Sequence, residues 1–222
     1  MQSSFPVDSV IFDMDGTLWD AVDSYAHIWN VTLDEAGIDH SPVTRNDLLS
    51  LMGLYLDDII RRLVPEPDGA RNLLARVMEN EAAMMPELGG TLYPNVRSVL
   101  AELAKKYRLF MVSNCGVHGL ENFVEYNNLE PYFVDLLSHG STCRSKAENI
   151  TYLIDKYGLK SPVYVGDTQS DADSAHKAGI PFVFASYGFG EVENPDETIK
   201  TFDELPRAID RLNNKLKHNE AR

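Results

Sequence analysis

The segment Val10-Ile11-Phe12-Asp13-Met14-Asp15-Gly16-Thr17 carries the most informative pattern in this chain. Its apolar residues predict the end of a β-strand, and two aspartates two positions apart follow at once. Residues two apart in an extended chain point the same way, so both carboxylates can share one site beyond the end of the strand. Open α/β sheets bind their ligands at that edge. The alternative interpretation of Asp13 and Asp15 is a plain Asp-Gly turn that closes a strand.

Short apolar runs alternate with segments of helical period through most of the sequence, which is typical of an α/β protein. Several runs are almost continuously apolar, as expected for parallel strands that are covered on both faces. The predicted strands are Val7–Phe12, Leu109–Ser113, Phe133–Leu137, Val163–Val165 and Phe182–Ala185. The predicted helices are Pro94–Lys106, Val117–Tyr126, Ser145–Tyr157, Ser170–Lys177 and Leu205–Lys217. The pattern predicts a Rossmann-like core built on a parallel sheet.

A long interval separates the first predicted strand from the second. About a hundred residues lie between Phe12 and Leu109, whereas a βαβ unit needs about thirty. The interval holds no convincing strand and three amphipathic helical patterns, Ser24–Ala36, Arg45–Leu63 and Gly69–Met85, which are broken by Gly37, Pro42, Pro65 and Pro67. We predict an α/β core formed by residues 1–16 and 87–222, with an all-helical cap formed by residues 17–86 inserted into it.

The composition excludes several classes of function. The 222 residues carry a formal net charge of −14, with 44% hydrophobic and 24% charged residues. This charge repels nucleic-acid backbones and anionic lipid heads, and no basic patch offsets it, so we expect neither nucleic acid nor membrane as a partner. No apolar run reaches the roughly 18 residues of a membrane span, and the N-terminus lacks a signal-peptide pattern. We expect a cytoplasmic monomer, with a dimer as the alternative.

Cysteine and glycine patterns exclude further chemistries. Two cysteines are too few for a disulfide framework, so we expect free thiols at Cys115 and Cys143. Cys115 follows the second predicted strand, but a cysteine nucleophile needs a neighbouring histidine that the sequence does not identify. The chain has no G-x-x-x-x-G-K-[ST] motif, and Gly188-Phe189-Gly190 does not extend to a dinucleotide fingerprint.

A second acidic cluster, in Gly166-Asp167-Thr168-Gln169-Ser170-Asp171, also follows an apolar strand. If a helix begins near Thr168, Asp167 and Asp171 lie about one turn apart and can face the same edge. The alternative is N-capping by Asp167 or Thr168, with Asp171 as a favourable charge in the first turn. Together with Asp13 and Asp15, these carboxylates would repel one another unless a cation neutralised them. Oxygen ligands alone suit Mg²⁺ rather than zinc.

Three further polar residues are candidates for the same edge of the sheet. Ser113 and Asn114 end the second predicted strand, although Ser-Asn is also ordinary turn chemistry. Lys146 opens a predicted helix, a position that the helix dipole disfavours for a cation. An anion beside Lys146 would make the position favourable, whereas the alternative is a solvated surface lysine.

These motifs, in this order and at these spacings, resemble those of the haloacid dehalogenase-like superfamily of hydrolases. The matching elements are Asp13-Met14-Asp15-Gly16-Thr17 after a strand, Ser113-Asn114, Lys146, and the G-D-x-x-x-D of residues 166–171. The insertion is similar to the helical cap of the phosphoglycolate-phosphatase and β-phosphoglucomutase branch. The resemblance covers essentially the whole chain.

The resemblance implies a Mg²⁺-dependent phosphatase that acts on a small phosphorylated metabolite through an aspartyl phosphate. It implies Asp13 as the nucleophile and Asp15 as the general acid/base. Ser113, Asn114 and Lys146 would bind the phosphate group. The metal would be held by Asp13, the backbone carbonyl of Asp15 and Asp167, with Asp171 supporting or completing the site.

The cap sequence narrows the choice within that branch. No lysine occurs between Thr17 and Ala104, and residues 17–86 carry 5 arginines against 12 acids. Phosphonatases and sugar-phosphate mutases of this kind use a cap lysine, so we expect a small substrate held mainly through its phosphate. A phosphotransferase or phosphomutase on a sugar phosphate stays open as an alternative, as does a non-catalytic phosphate-binding or signalling protein. Trp19 is expected to narrow the entry between core and cap.

Overall fold

The computed structural model describes residues 6–64 and 73–220. Part of the predicted cap lies outside these ranges, namely Pro65, Pro67, Arg71 and the first residues of the predicted helix Gly69–Met85. None of the described helices combines the length and the hydrophobicity that a transmembrane helix requires.

The core is a six-stranded sheet in the order β5-β4-β1-β6-β7-β8, in which all neighbouring strands are parallel. Its strands are β1 (Ser9–Phe12), β4 (Arg108–Ser113), β5 (Phe133–Ser138), β6 (Pro162–Gly166), β7 (Phe182–Ala185) and β8 (Glu197–Ile199). The predicted α/β fold class and its five strands are confirmed. The sequence did not predict β8, because three residues with Glu and Thr in them give no apolar run.

The register of the central strands explains where the polar residues emerge. Phe12 at the end of β1 lies opposite Met111 of β4 and Val165 of β6. The backbone N–H of Asp13 still donates to the carbonyl of Val165, at 2.9 Å. The residues that follow these three strands therefore meet at one edge of the sheet.

Helices cover both faces of the sheet. Successive residues of β1 point to opposite faces and therefore pack into different apolar clusters. Phe12 packs into one apolar cluster and Ile11 into another. The first cluster includes residues of α5 (Val96–Leu103), α6 (Gly119–Asn127) and α10 (Leu205–Glu220), and the second includes residues of α8 (Lys146–Tyr157) and α9 (Gln169–Lys177). A short helix, α7 (His139–Thr142), joins β5 to α8. Both faces are thus buried, as the continuous apolar strands predicted.

The cap consists of α1 (Val22–Glu35), α2 (Arg45–Leu49), α3 (Leu56–Leu63) and α4 (Leu73–Leu88). These helices share an apolar cluster of their own that includes Trp29, Leu51 and Val77. The inserted helical cap is confirmed as part of the fold. The division at residues 16 and 86 stays a prediction, and α4 continues past Pro86 to Leu88.

The prediction of one helix over Arg45–Leu63 is wrong, because the segment forms two helices, α2 and α3, with a turn between them. Gly53 in that turn has φ +83°, a left-handed conformation that glycine adopts at no steric cost. Helical period alone does not distinguish one amphipathic helix from two with the same buried face. The turn matters for the site described below, because it brings the backbone of Gly53 against the core.

The expectation of no strand between Thr17 and Pro86 is wrong at one place. β2 (Trp19–Asp20) pairs in antiparallel fashion with β3 (Thr91–Leu92), so the chain leaves and re-enters the core side by side. A Cβ atom on Gly90 would lie 2.7 Å from the Trp19 ring, so only glycine permits this close approach. Two-residue strands that pair across about seventy residues leave no pattern in the sequence.

Candidate active site

The carboxyl edge of the sheet gathers the acidic residues of both sequence clusters. Asp13, Asp167 and Asp171 are buried, and each offers a carboxylate oxygen within 4.8 Å of the others. Asp13 follows β1, Asp167 follows β6, and Asp171 lies in the first turn of α9. The structure therefore brings together residues that are more than 150 positions apart.

Lys146, the first residue of α8, lies between two of these carboxylates. Its Nζ donates to Asp13 Oδ1 at 3.0 Å and to Asp171 Oδ1 at 2.5 Å, and its side chain is 2% exposed. Burial alone would lower the pKa of Lys146, but the Asp13 and Asp171 carboxylates raise it well above its ordinary value. Lys146 is therefore a buried cation rather than a solvated surface lysine. These anions offset the unfavourable helix dipole at the start of α8.

Asp171 has partners for both of its oxygens within the chain. Oδ1 accepts from Lys146, and Oδ2 accepts from the backbone N–H of Thr168 at 3.0 Å and from its hydroxyl at 2.7 Å. Thr168 is the N-cap of α9 and forms a capping box with Asp171. The helix-capping interpretation of this segment is thus correct for Thr168, and Asp171 also contacts the buried cation.

Asp167 is held by the loop after β7 and by Thr17. Its Oδ2 accepts from the backbone N–H of Phe189 at 2.8 Å, and its Oδ1 accepts from the Thr17 hydroxyl at 3.2 Å. Two glycines permit this geometry, because a Cβ would lie 2.1 Å from Asp167 Oδ2 at Gly16 and 2.6 Å from it at Gly188. Gly188, which belongs to no nucleotide motif, thus permits the close approach of the Asp167 carboxylate, whereas Gly190 lies against the backbone of Asp167 and Thr168.

The proximity of these acids opposes their ionisation. Burial, and then the Asp171 charge, raise the pKa of Asp13 from 3.8 to about 6, although Lys146 lowers it. Burial, followed by Asp171 and Asp13, raises the pKa of Asp167 well above its ordinary value. One lysine therefore does not balance the negative charge of the cluster. A divalent cation would do so, and buried oxygen donors without nitrogen or sulfur fit Mg²⁺.

Asp15 has a different environment from Asp13. Trp19 Nε1 donates to Asp15 Oδ1 at 2.9 Å, and Tyr25 is a further hydrogen-bond partner. Burial, and then the Asp13 charge, raise the pKa of Asp15 from 3.8 to about 8, so it holds a proton at neutral pH. The expectation that Trp19 narrows the entry is wrong, because its side chain is 1% exposed and binds Asp15 instead.

The two polar residues at the end of β4 are both buried. Ser113 is 4% exposed, and Asn114 Nδ2 donates to the backbone carbonyl of Gly53 at 2.8 Å. Asn114 therefore links the core to the turn between α2 and α3 of the cap. Its Oδ1 is buried without a hydrogen-bond partner among the described residues, which leaves one polar atom available to a ligand.

A cavity between core and cap, called the site cavity below, joins these residues. Its core side is polar and includes Asp13, Asp15, Ser113, Asn114 and Lys146. Its cap side is mostly apolar and includes Trp29, Leu48, Leu51, Met52, Leu54, Leu56 and Ile59, together with Tyr25 and Glu81. Ligands of enzymes commonly bind in such enclosed spaces with a few converging polar groups.

Sequence reasoning missed Tyr25 and Glu81. Both lie on cap helices, and helical period predicted the helices but not which side chains face the core. Cys115 also lines the cavity, and burial, followed by the Asp15 charge, raises the pKa of its thiol. No histidine lines the site cavity in the described parts of the chain. A cysteine nucleophile therefore lacks both its ionised form and its base.

A six-stranded parallel sheet under a helical cap, with a buried acidic cluster at its carboxyl edge, defines a Rossmann-like α/β fold with a cap domain. The chain belongs to the haloacid dehalogenase-like hydrolase family, whose model matches residues 10–185. This confirms the resemblance inferred from the sequence motifs.

The relatives and structural neighbours agree with that assignment. The chain is 27% identical over 214 residues to a phosphoglycolate phosphatase of Synechococcus elongatus, covering 93% of this chain and 99% of the relative. It is 28% identical to a phosphoglycolate phosphatase of Pasteurella multocida, covering 80% and 85%. The fold is similar to the crystal structure of a predicted phosphoglycolate phosphatase from Haemophilus somnus, with a TM-score of 0.81, 23% identity, and 90% and 97% of the two chains covered.

Proposed function

We propose that the protein is a Mg²⁺-dependent phosphatase that hydrolyses small phosphomonoesters through an aspartyl phosphate on Asp13. The observation that carries this proposal is the buried cluster of Asp13, Asp167 and Asp171, with Lys146 bound to two of them and Asp15 lining the same cavity. Asp13, with a pKa of about 6, is largely ionised at neutral pH, whereas Asp15, with a pKa of about 8, keeps its proton. A nucleophile and a general acid need these opposite states.

Asp13, Asp167 and the backbone carbonyl of Asp15 would hold the metal ion. When bound, Mg²⁺ supplies positive charge against the phosphoryl oxygens, which would otherwise repel an anionic nucleophile. Asp171 supports this site through Lys146 and the backbone of α9, because both of its oxygens already have partners.

The side chains of the protein carry out attack, proton transfer and phosphate binding. Asp13 Oδ1 accepts from Lys146, which leaves Oδ2 to attack phosphorus as the bond to the leaving oxygen breaks. Asp15 gives its proton to that leaving oxygen. It then takes a proton from the water that attacks the aspartyl phosphate, which returns Asp13 and releases inorganic phosphate. Ser113, Lys146 and the second Nδ2 hydrogen of Asn114 donate to the phosphoryl oxygens. Asn114 Oδ1, which has no partner among the described residues, accepts from a hydroxyl group of the substrate.

The substrate is a small phosphorylated metabolite. Two features support this proposal. The curated relatives carry the name phosphoglycolate phosphatase, and the site cavity is closed on its cap side by apolar side chains. A sugar-phosphate mutase is the alternative, and it would transfer the phosphoryl group instead of releasing it.

Hydrolysis of p-nitrophenyl phosphate tests the proposal. We expect inorganic phosphate to be released with Mg²⁺ and the activity to disappear in excess EDTA. Asp13→Asn removes the nucleophile with little change in shape and should lower kcat at least about 10³-fold. The control is Asp210→Asn, which changes an exposed aspartate on α10 and should leave kcat unchanged. Full activity of Asp13→Asn would refute the nucleophile assignment, and full activity in EDTA would refute the metal.

A further inference from the structure

Glu81 is a cap carboxylate that faces the proposed catalytic residues and has no role in the chemistry above. It lies on α4 and lines the site cavity with Tyr25 of α1. Its Oε2 reaches the loop after β4, because a Cβ on Gly116 would lie 3.4 Å from it. The Glu81 charge also contributes to the raised pKa of Asp15. Glu81 therefore lies on the cap side of the cavity whose core side includes Asp13.

The Glu81 carboxylate has no partner within the described parts of the chain. No hydrogen bond or ion pair to it is found there, and Lys146 is the one described cation that lines the site cavity. Two cap arginines are engaged elsewhere, since Arg45 pairs with Asp20 and Arg61 with Asp58. Burial raises the pKa of Glu81 to about 7. A partly buried acid with no partner is a costly feature unless a ligand supplies the missing group.

The surroundings of Glu81 favour a cationic partner. Tyr25 and Trp29 line the same wall, and aromatic rings attract cations through their faces. A second carboxylate at this position would meet Glu81 at close range, with Asp13 beyond it, and among the described residues no cap cation lines the cavity to offset the repulsion. Phosphoglycolate, the substrate in the names of the curated relatives, carries such a carboxylate.

We propose that Glu81 selects phosphomonoesters whose leaving group carries a protonated amine, and that it disfavours leaving groups that carry a carboxylate. This inference rests on the proposed phosphatase function. The phosphate would bind at Asp13 and Lys146, and the amine would donate to Glu81 across the cavity. The substrate class then differs from the one that the names of the relatives suggest.

Three substrates of nearly equal size test the inference. Phosphoethanolamine, 2-hydroxyethyl phosphate and phosphoglycolate place an ammonium, a hydroxyl or a carboxylate group at the same distance from phosphorus. At pH 8 we expect kcat/KM to fall in that order. Glu81→Gln should lower kcat/KM for phosphoethanolamine about tenfold, as loss of a charged hydrogen bond implies. Because the Glu81 charge also raises the pKa of Asp15, the variant affects all three substrates through that acid, and the test is therefore the ratio of values. Relative to 2-hydroxyethyl phosphate, kcat/KM should fall for phosphoethanolamine and rise for phosphoglycolate.

The matched control is Glu87→Gln, which makes the same change at an exposed position of the same helix. It should leave all three kcat/KM values unchanged. A preference for phosphoglycolate in the unaltered protein would overturn the inference, and so would an equal loss for all three substrates in Glu81→Gln. p-Nitrophenyl phosphate distinguishes a failure of the role proposed for Glu81 from a failure of the proposed phosphatase function. Its hydrolysis without an amine preference refutes the role of Glu81 alone, whereas no hydrolysis of any ester refutes the phosphatase as well.

Discussion

Asp13 and Asp15 are two positions apart, yet the tertiary structure gives them different proton affinities. Asp13 contacts the buried cation Lys146, which lowers its pKa against the effect of burial. Asp15 contacts neutral donors, Trp19 and Tyr25, and faces the Asp13 charge, so its pKa rises further. Neighbouring carboxyl groups thus acquire different pKa values from their partners rather than from their own chemistry.

Gly16 permits the position of the Asp167 carboxylate, because it has no Cβ atom to collide with it. A substitution of Gly16 therefore tests how much the activity depends on that position. Gly16→Ala places a Cβ about 2.1 Å from Asp167 Oδ2, so the carboxylate has to move. We expect phosphatase activity to fall at least about 100-fold, since small displacements in a catalytic site cost that much. The measurement is kcat with p-nitrophenyl phosphate at saturating Mg²⁺.

Gly37→Ala is the matched control for Gly16→Ala. Gly37 also has a left-handed conformation, with φ +68° against +77° at Gly16, but a Cβ there would meet nothing within 4 Å. Both variants therefore have the same backbone strain, of about 1–2 kcal/mol. Equal losses of activity in the two variants would show that strain, and not displacement of Asp167, is responsible.

Among the secondary-structure elements, the N-termini of α8 and α9 position two charged side chains, Lys146 and Asp171. Ser145 caps α8 in a capping box with Glu148, which fixes the first turn and so the direction of Lys146. Thr168 caps α9 in the same way and binds Asp171. The sequence signals that begin these helices therefore also orient the buried ion pair between them.

Removing the cap of α8 tests this link between helix capping and the site. Ser145→Ala should lower the free energy of unfolding by about 1 kcal/mol, and it should also lower kcat, because Lys146 is the next residue. Thr44→Ala removes an equivalent capping box from α2, whose N-terminus does not line the site cavity. It should have a similar effect on stability and none on kcat. Urea unfolding and steady-state kinetics measure the two quantities, and an unchanged kcat in Ser145→Ala would contradict the link.

At the scale of the whole molecule, the buried acids make stability depend on pH and on metal. The pKa values of Asp13, Asp15 and Glu81 rise from their ordinary values of 3.8, 3.8 and 4.5 to about 6, 8 and 7. Between about pH 4 and pH 8 the folded protein therefore binds more protons than the unfolded chain. Its free energy of unfolding falls as pH rises through this range.

Mg²⁺ should reverse this loss of stability, because it binds the ionised carboxylates of the folded protein only. We expect the unfolding temperature in EDTA to be lower at pH 8 than at pH 5, and the increase on adding Mg²⁺ to be larger at pH 8. Thermal unfolding measured by calorimetry checks both expectations. NaCl at matched ionic strength is the control for screening, and Asp167→Asn should abolish the effect of Mg²⁺. An unfolding temperature that does not respond to Mg²⁺ at pH 8 would contradict the proposed metal site.

Local patterns in the sequence predicted five of the six strands of the sheet, the inserted cap and the residues at the carboxyl edge. Apolar strands, helix caps and the acids after β1 and β6 are local patterns, and parallel topology brings the ends of neighbouring strands together whatever the details of packing. The family assignment followed from the same motifs and is confirmed. The proposed roles of Asp13, Asp15, Lys146 and Asp167 stay predictions that the experiments above test.

The pairing of polar side chains could not be predicted from the sequence, because it depends on tertiary packing. The contacts of Trp19 with Asp15, of Asn114 with the Gly53 carbonyl and of Lys146 with two carboxylates depend on how the helices pack, and packing is set by contacts between residues far apart in the chain. Helical period predicted an apolar face for α4, but it did not predict that Glu81 lines the site cavity. Local patterns encode the direction of the chain and the burial of a face, whereas the partner of a polar side chain depends on the remainder of the fold.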